Sequence, residues 1–150
     1  MTTSSEFLYR MLSAAFFHER ITDFKPHEFI KPTAGYPPVQ NLLHIVPTAK
    51  VLQALRDAGA GPITINSGYR SPDYNEQVGG SPGSQHIEFR AADIVARDWS
   101  PDQVANWLEQ STYRQFIGLG RYHTFTHVDT RHWPGNPEEF DRPARWDNRY

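Results

Sequence analysis

The sequence predicts an α+β fold: a small, mostly antiparallel sheet with helices packed on it. Three observations carry this. Apolar residues recur at helical spacing in three stretches, short β-branched or alternating runs occur between them, and the 12 Pro and 10 Gly assign much of the remaining chain to loops.

Taken in order, Phe7, Leu8, Met11, Leu12, Ala15 and Phe16 fall at the spacing of an amphipathic helix. The proline-dense "DFKPHEFIKPTAGYPP", residues 23–38, predicts an extended or turning arm across the surface. "TAKVLQALRDAGAG" predicts a helix with Thr48 as N-cap, Val51, Leu52 and Leu55 on one face, and Gly59 and Gly61 to end it. "PITIN" predicts a strand, followed by the turn-rich "SGYRSPDYNEQVGGSPGS". "RAADIVA" predicts a second short strand. "SPDQVANWLEQS" predicts a helix capped by Ser100, with Pro101 in its first turn and Val104, Trp107 and Leu108 on its apolar face. "FIGLGRYHTFTHVDTR" predicts two strands around a turn, and the tail from Pro134 a return to loop.

Bulk properties narrow the function. A chain of 150 residues suits one domain with one core, so residues 1–150 are expected to form a single unit. A net charge of -2 without basic runs gives no electrostatic pull toward nucleic acid or an anionic membrane. No segment reaches 18 consecutive apolar residues, so no membrane span is expected. The N-terminal apolar stretch is short and broken by Arg10, which points to a packed helix rather than a secretory signal and to synthesis in the cytoplasm. With no cysteine, disulfides and thiolate ligands are excluded, and a metal site must use His, Asp, Glu and water.

The chemistry concentrates in "SPGSQHIEFRAADIVA", residues 81–96. Asp93 stands in an apolar run, where a carboxylate needs a partner. Taken singly, Asp93 fits a turn cap or an arginine partner, and His86 an ordinary surface or core histidine. His127 and Asp129, two apart on a strand, share one face with Phe125, while Val128 points to the other. Two His and two Asp from two segments form an N/O donor set that Zn²⁺ accepts, and catalytic zinc takes three protein ligands and leaves a fourth place to water.

Read in order, "ITINSGYRSPDYNEQVGG", "SQHIEFRAADI" and "GLGRYHTFTHVDTR" resemble the zinc peptidases of bacterial cell walls related to D-alanyl-D-alanine carboxypeptidases. That group includes phage L-alanyl-D-glutamate endopeptidases and shares its zinc-binding core with the hedgehog signalling domain. The resemblance runs from "DFKPHEF" to "RPARW", leaving residues 1–20, the N-terminal helix, outside it. It implies a hedgehog-like peptidase fold, Zn²⁺ as cofactor and a peptidoglycan stem peptide as substrate. The family pattern Ser-x-His-x-x-Gly-x-Ala-x-Asp is matched by Ser84, His86, Ala91 and Asp93, which implies His86 and Asp93 as the first two zinc ligands and His127 as the third. Arg70 matches the arginine that holds a substrate oxygen.

Two positions depart from the pattern. Phe89 stands at the family glycine, where its ring is expected to narrow the cleft, and Thr124 stands where many members carry an acid. Asp129 is then the nearest acid, either as general base or as the outer carboxylate that orients a histidine, with His123 a weaker candidate for the base. His132 is an alternative third ligand if the strand curls. Arg131 either helps bind a carboxylate or is a solvated surface arginine. Tyr69, Tyr74, Tyr122 and Trp133 are core or wall a substrate groove. Two functions follow: hydrolysis of an amide bond in stem peptides, the enzyme reaching the wall through phage lysis or in a virion, or a metal-containing, catalytically weak wall-binding or virion module.

Overall fold

The computed structural model describes residues 4–133 and 143–149. The first helix, α1, spans Ser4–His18. It buries Leu8, Leu12 and Phe16, while Phe7 and Met11, expected on the same apolar stripe, are exposed. Phe16 meets Phe29 edge to face at 5.7 Å, which ties α1 to the segment that follows.

That segment is more structured than its prolines suggest. Pro26–Phe29 is a short helix, α2, and Pro32–Ala34 and Val39–His44 are 3₁₀ turns. Prolines at the first helical position of the first two start turns rather than preventing them, because the missing N–H would lack an intrahelical partner there. Phe24, Phe29, Ile30 and Leu42 are buried, so this stretch is a layer of the core and not a surface arm.

Helix α3 spans Ile45–Leu55 and runs on into a wide turn, Arg56–Ala60, that Gly59 closes with φ 114°. Thr48 is one turn inside α3 and not its cap. Its buried hydroxyl donates to the Arg90 carbonyl at 2.7 Å and lies 2.8 Å from the Thr130 hydroxyl. Strand β1, Ile63–Ser67, follows. The turn-rich stretch after it holds a further helix, α4 (Pro72–Gln77), capped by the Ser71 hydroxyl on the Tyr74 N–H. The 3.6-residue pattern is absent there because α4 is less than two turns long and buries only Asn75.

Strand β2 is Ala91–Ala96, helix α5 is Pro101–Gln110, and strands β3 and β4 are Gly118–Arg121 and Thr126–Asp129. Ser100 and Gln103 form a reciprocal cap at α5, whose Val104 and Leu108 are buried. The tail, expected to be loop, forms a strand β5 at Arg145–Asp147; residues 134–142 lie outside the described residues. Among the described residues no helix is long and apolar enough to cross a membrane.

The five strands lie in the order β1-β2-β4-β3-β5, antiparallel except for the β3 and β5 pair. One face carries Ala92, Ile94, Leu119 and Val128 into the apolar core. On the other, the register sets Ser67 opposite Asp93, Asp93 opposite His127, His127 opposite Gly120 and Gly120 opposite Trp146. A row across five strands thus places chemistry on a single line, because register partners in a sheet project to the same side.

Candidate metal centre

Asp93 is buried despite its charge because β2 is an inner strand, with β1 on one side and β4 on the other. Its carboxylate is fully partnered. Oδ2 accepts from Arg70 Nη2 at 3.2 Å, while Oδ1 faces His127 Nδ1 at 3.0 Å and His86 Nε2 at 3.3 Å. Burial alone would push the Asp93 carboxyl up, and the facing His127 and His86 rings outweigh it and hold it well below the usual range.

His86 reaches this point from a loop. Its backbone N–H donates to the Ser84 hydroxyl and its Nδ1 lies 2.7 Å from the Gly68 carbonyl. A carbonyl only accepts, so Nδ1 carries the proton and Nε2 turns a lone pair toward Asp93. His127 is oriented differently. Its Nε2 lies 2.8 Å from Oδ2 of the fully buried Asp129, which also accepts from Arg131 Nε at 2.9 Å and Nη2 at 2.8 Å. With the arginine keeping Asp129 ionised, Nε2–H donates to it and Nδ1 is left facing Asp93.

Two imidazole lone pairs and a carboxylate oxygen therefore converge with all three donor atoms within 4.8 Å of one another. Three acceptors facing one point repel unless a cation lies between them, and two imidazoles with one carboxylate are a ligand set for a divalent metal such as zinc. His127 registers the same demand. Burial lowers its proton affinity, yet hydrogen bonds with Asp129 and Asp93 more than reverse this and raise its pKa.

A family model described as Peptidase M15 matches residues 22–129 of this chain. The chain belongs to the peptidase M15 family. Among curated proteins it is similar to the zinc D-Ala-D-Ala carboxypeptidase of Streptomyces albus G, 36% identical over 88 residues. The aligned stretch is 55% of this chain and 34% of that relative, so the chain spans about a third of the protein it matches.

Around the donors of this M15 domain lies a pocket of about 430 Å³, lined by the loop 78–85, Arg70, Tyr122, Phe125, Arg131 and Trp146. Arg70 is fixed there by Ser67 Oγ at 3.0 Å, Asn75 Oδ1 at 3.3 Å and Asp93. These contacts use three of its five N–H groups. Arg131 lies against Asp129 and at the pocket rather than free in solvent.

Several expectations change. Asp129, expected as general base or as orienting carboxylate, is fully buried behind His127, with its oxygens engaged by His127 and Arg131, and does not line the pocket. His123 and Thr124 are exposed in the β3–β4 turn and do not line the pocket. The backbone N–H of His132 donates to the Phe116 carbonyl, and the residue lies outside the converging donors. Trp133 packs on Tyr113 and Phe116, and Tyr69 is buried; of the four aromatic residues considered for the groove, Tyr122 alone lines it.

Phe89 does not narrow the cleft. Its backbone is left-handed, φ 58°, a conformation that favours glycine, and its ring is fully buried against Tyr69 at 5.8 Å. That conformation costs about 1–2 kcal/mol for a residue with a Cβ, less than the roughly 1.5–3 kcal/mol that burying a phenyl ring contributes. The residue the sequence left unassigned is Trp146. Its period-2 signal is only three residues long, and its role depends on Gly120, two strands positions that nothing in the local pattern connects.

Proposed function

We propose that this chain is a zinc peptidase that hydrolyses an amide bond in peptidoglycan stem peptides. The observation that carries the proposal is the convergence of His86 Nε2, His127 Nδ1 and Asp93 Oδ1 within 4.8 Å of one another. The M15 membership and the name of the Streptomyces relative support zinc and a cell-wall peptide as the chemistry.

In this function His86, Asp93 and His127 hold the ion. Zinc supplies Lewis acidity, polarising a carbonyl and activating water as a nucleophile near neutral pH. Asp129 keeps the His127 proton on Nε2, so that Nδ1 stays a ligand. Arg70 is pinned beside the donors by Ser67, Asn75 and Asp93, and its two remaining N–H groups bind a substrate carbonyl or carboxylate oxygen. Tyr122 and Phe125, stacked at 4.2 Å, form an apolar wall that limits water at the site.

A second function is favoured by one observation: among the described pocket-lining residues Asp93 is the only carboxylate, so no acid beside the donors stands ready as a general base. The chain would then bind stem peptides around its metal without cutting them. Digestion of purified stem peptides by the zinc-loaded protein, read by mass spectrometry, decides between the two. Cleavage that disappears in His127→Ala supports the peptidase; bound zinc and bound peptide without cleavage supports the binding module.

A further inference from the structure

We propose that Trp146 is a positioning residue of the metal centre: its indole fixes the plane of the His127 ring and, through Nε1–H, leaves the Tyr122 hydroxyl as a donor at the pocket. This rests on the metal-centre function proposed above. The M15 match ends at Asp129, so the residue lies on a strand beyond the matched segment.

The backbone makes room for it. Trp146 is opposite Gly120 in the β3–β5 register, and Gly120 is opposite His127. A Cβ at Gly120 would collide with Nε1, Cε2 and Cζ2 of the indole, so the bare backbone of β3 is what lets the ring lie across it toward the histidine. The rings of Trp146 and His127 meet at 4.9 Å and 50°, and Arg131 caps the other ring contact at 5.5 Å from the indole centroid.

His127 is thus held at three places. Asp129 fixes Nε2, His86 packs edge to face at 5.2 Å, and Trp146 covers the ring. The hydrogen bond alone leaves the imidazole able to rock about the Nε2 end, which would swing Nδ1 away from Asp93; ring packing blocks that motion. The second effect follows from hydrogen-bond chemistry. An indole N–H only donates, so Tyr122 oxygen accepts it at 3.0 Å, and the hydroxyl proton of Tyr122 is left for another acceptor. Both side chains line the pocket, so that acceptor is a substrate oxygen.

The test uses the full chain in four variants: Trp146→Leu, Trp146→Phe, Gly120→Ala and Tyr122→Phe. Zinc affinity is measured by competition with a chromophoric chelator, the ligand field by the Co²⁺ absorption spectrum, and folding by melting of the metal-free protein. Trp146→Leu keeps bulk without a ring, and Gly120→Ala displaces the indole while leaving it in the chain. Each is expected to weaken zinc about tenfold and to shift the Co²⁺ bands, the effect typical of removing a group that orients a metal ligand. Trp146→Phe keeps a ring but no N–H, so it retains zinc affinity and raises KM for the stem peptide, as Tyr122→Phe does. Folded Trp146→Leu and Gly120→Ala proteins with the zinc affinity and Co²⁺ spectrum of the wild type would overturn the proposal. A wild type that binds no zinc, or a His127→Ala protein that binds it equally well, would instead overturn the metal-centre function on which it rests.

Discussion

The two histidines of the centre are held in opposite ways. His86 lies on a loop and is oriented by a neutral backbone carbonyl, that of Gly68, with Ser84 bracing its turn. His127 lies on a strand and is oriented by a buried carboxylate, Asp129, which is itself balanced by Arg131. A backbone carbonyl cannot be removed by a side-chain change, whereas a carboxylate can. The loop half is therefore robust to substitution and the strand half is vulnerable, although both turn a ring nitrogen toward the point that Asp93 Oδ1 faces.

The largest effect is expected at the strand half. Asp129→Ala removes the partner of His127 and leaves the half-buried Arg131 without its counter-charge, a change worth about 3–5 kcal/mol where one member of a buried pair is lost. Zinc affinity is expected to fall 10–100-fold with it. Denaturant unfolding and chelator competition measure the two separately. A variant that lost neither would show that His127 needs no anchor.

Next comes Phe89, which closes the loop that presents His86. Phe89→Ala is expected to cost about 3–5 kcal/mol through the emptied core site. Phe89→Gly removes the same ring but releases the left-handed strain, so it should be more stable than Phe89→Ala by roughly 1 kcal/mol, the reverse of the usual order at buried positions. Melting curves of the pair read this directly. Metal affinity should stay within about threefold in both, because the ring does not reach the pocket.

The pH dependence of the metal-free protein sharpens the contrast further. Burial would raise the Asp129 carboxyl, but hydrogen bonds from Arg131 and His127 hold it well below the range of an unfolded aspartate. A folded pKa below the unfolded one means stability that is complete above about pH 4–5 and lost as pH falls through the lowered value. Asp129→Asn should flatten this acid limb in equilibrium unfolding between about pH 5 and 2; an unchanged limb would assign it to other carboxylates.

The smallest effect is expected at the loop half. Ser84→Ala removes one hydrogen bond to the His86 N–H, worth about 0.5–1.5 kcal/mol, and should leave zinc affinity nearly unchanged.

Much of this arrangement was legible in the sequence. The cap of α5, the strands at 63–67 and 91–96 and the β3–β4 hairpin follow from local patterns, and the three donors follow from ordered motifs. Other features depend on contacts that no local pattern encodes. Thr48 looks like a cap until Arg90 and Thr130 come to it from other segments, and Phe89 looks like an intruder in the cleft until its backbone is seen to turn the ring inward. Gly118 and Gly120 carry no side chain that could signal a role, yet they are strand positions kept bare because Asp129, Arg131 and Trp146 lie over them.

In the proposed function Asp93 is buried in order to share one metal ion with His86 and His127. Calorimetric titration of zinc into the metal-free wild type and Asp93→Asn proteins tests it most directly, because the asparagine keeps the shape and removes the charge. One zinc per chain in the wild type, with binding lost or weakened by orders of magnitude in a folded Asp93→Asn protein, is the predicted result. Equal binding by the two would contradict it and leave Asp93 as the ion-pair partner of Arg70 alone.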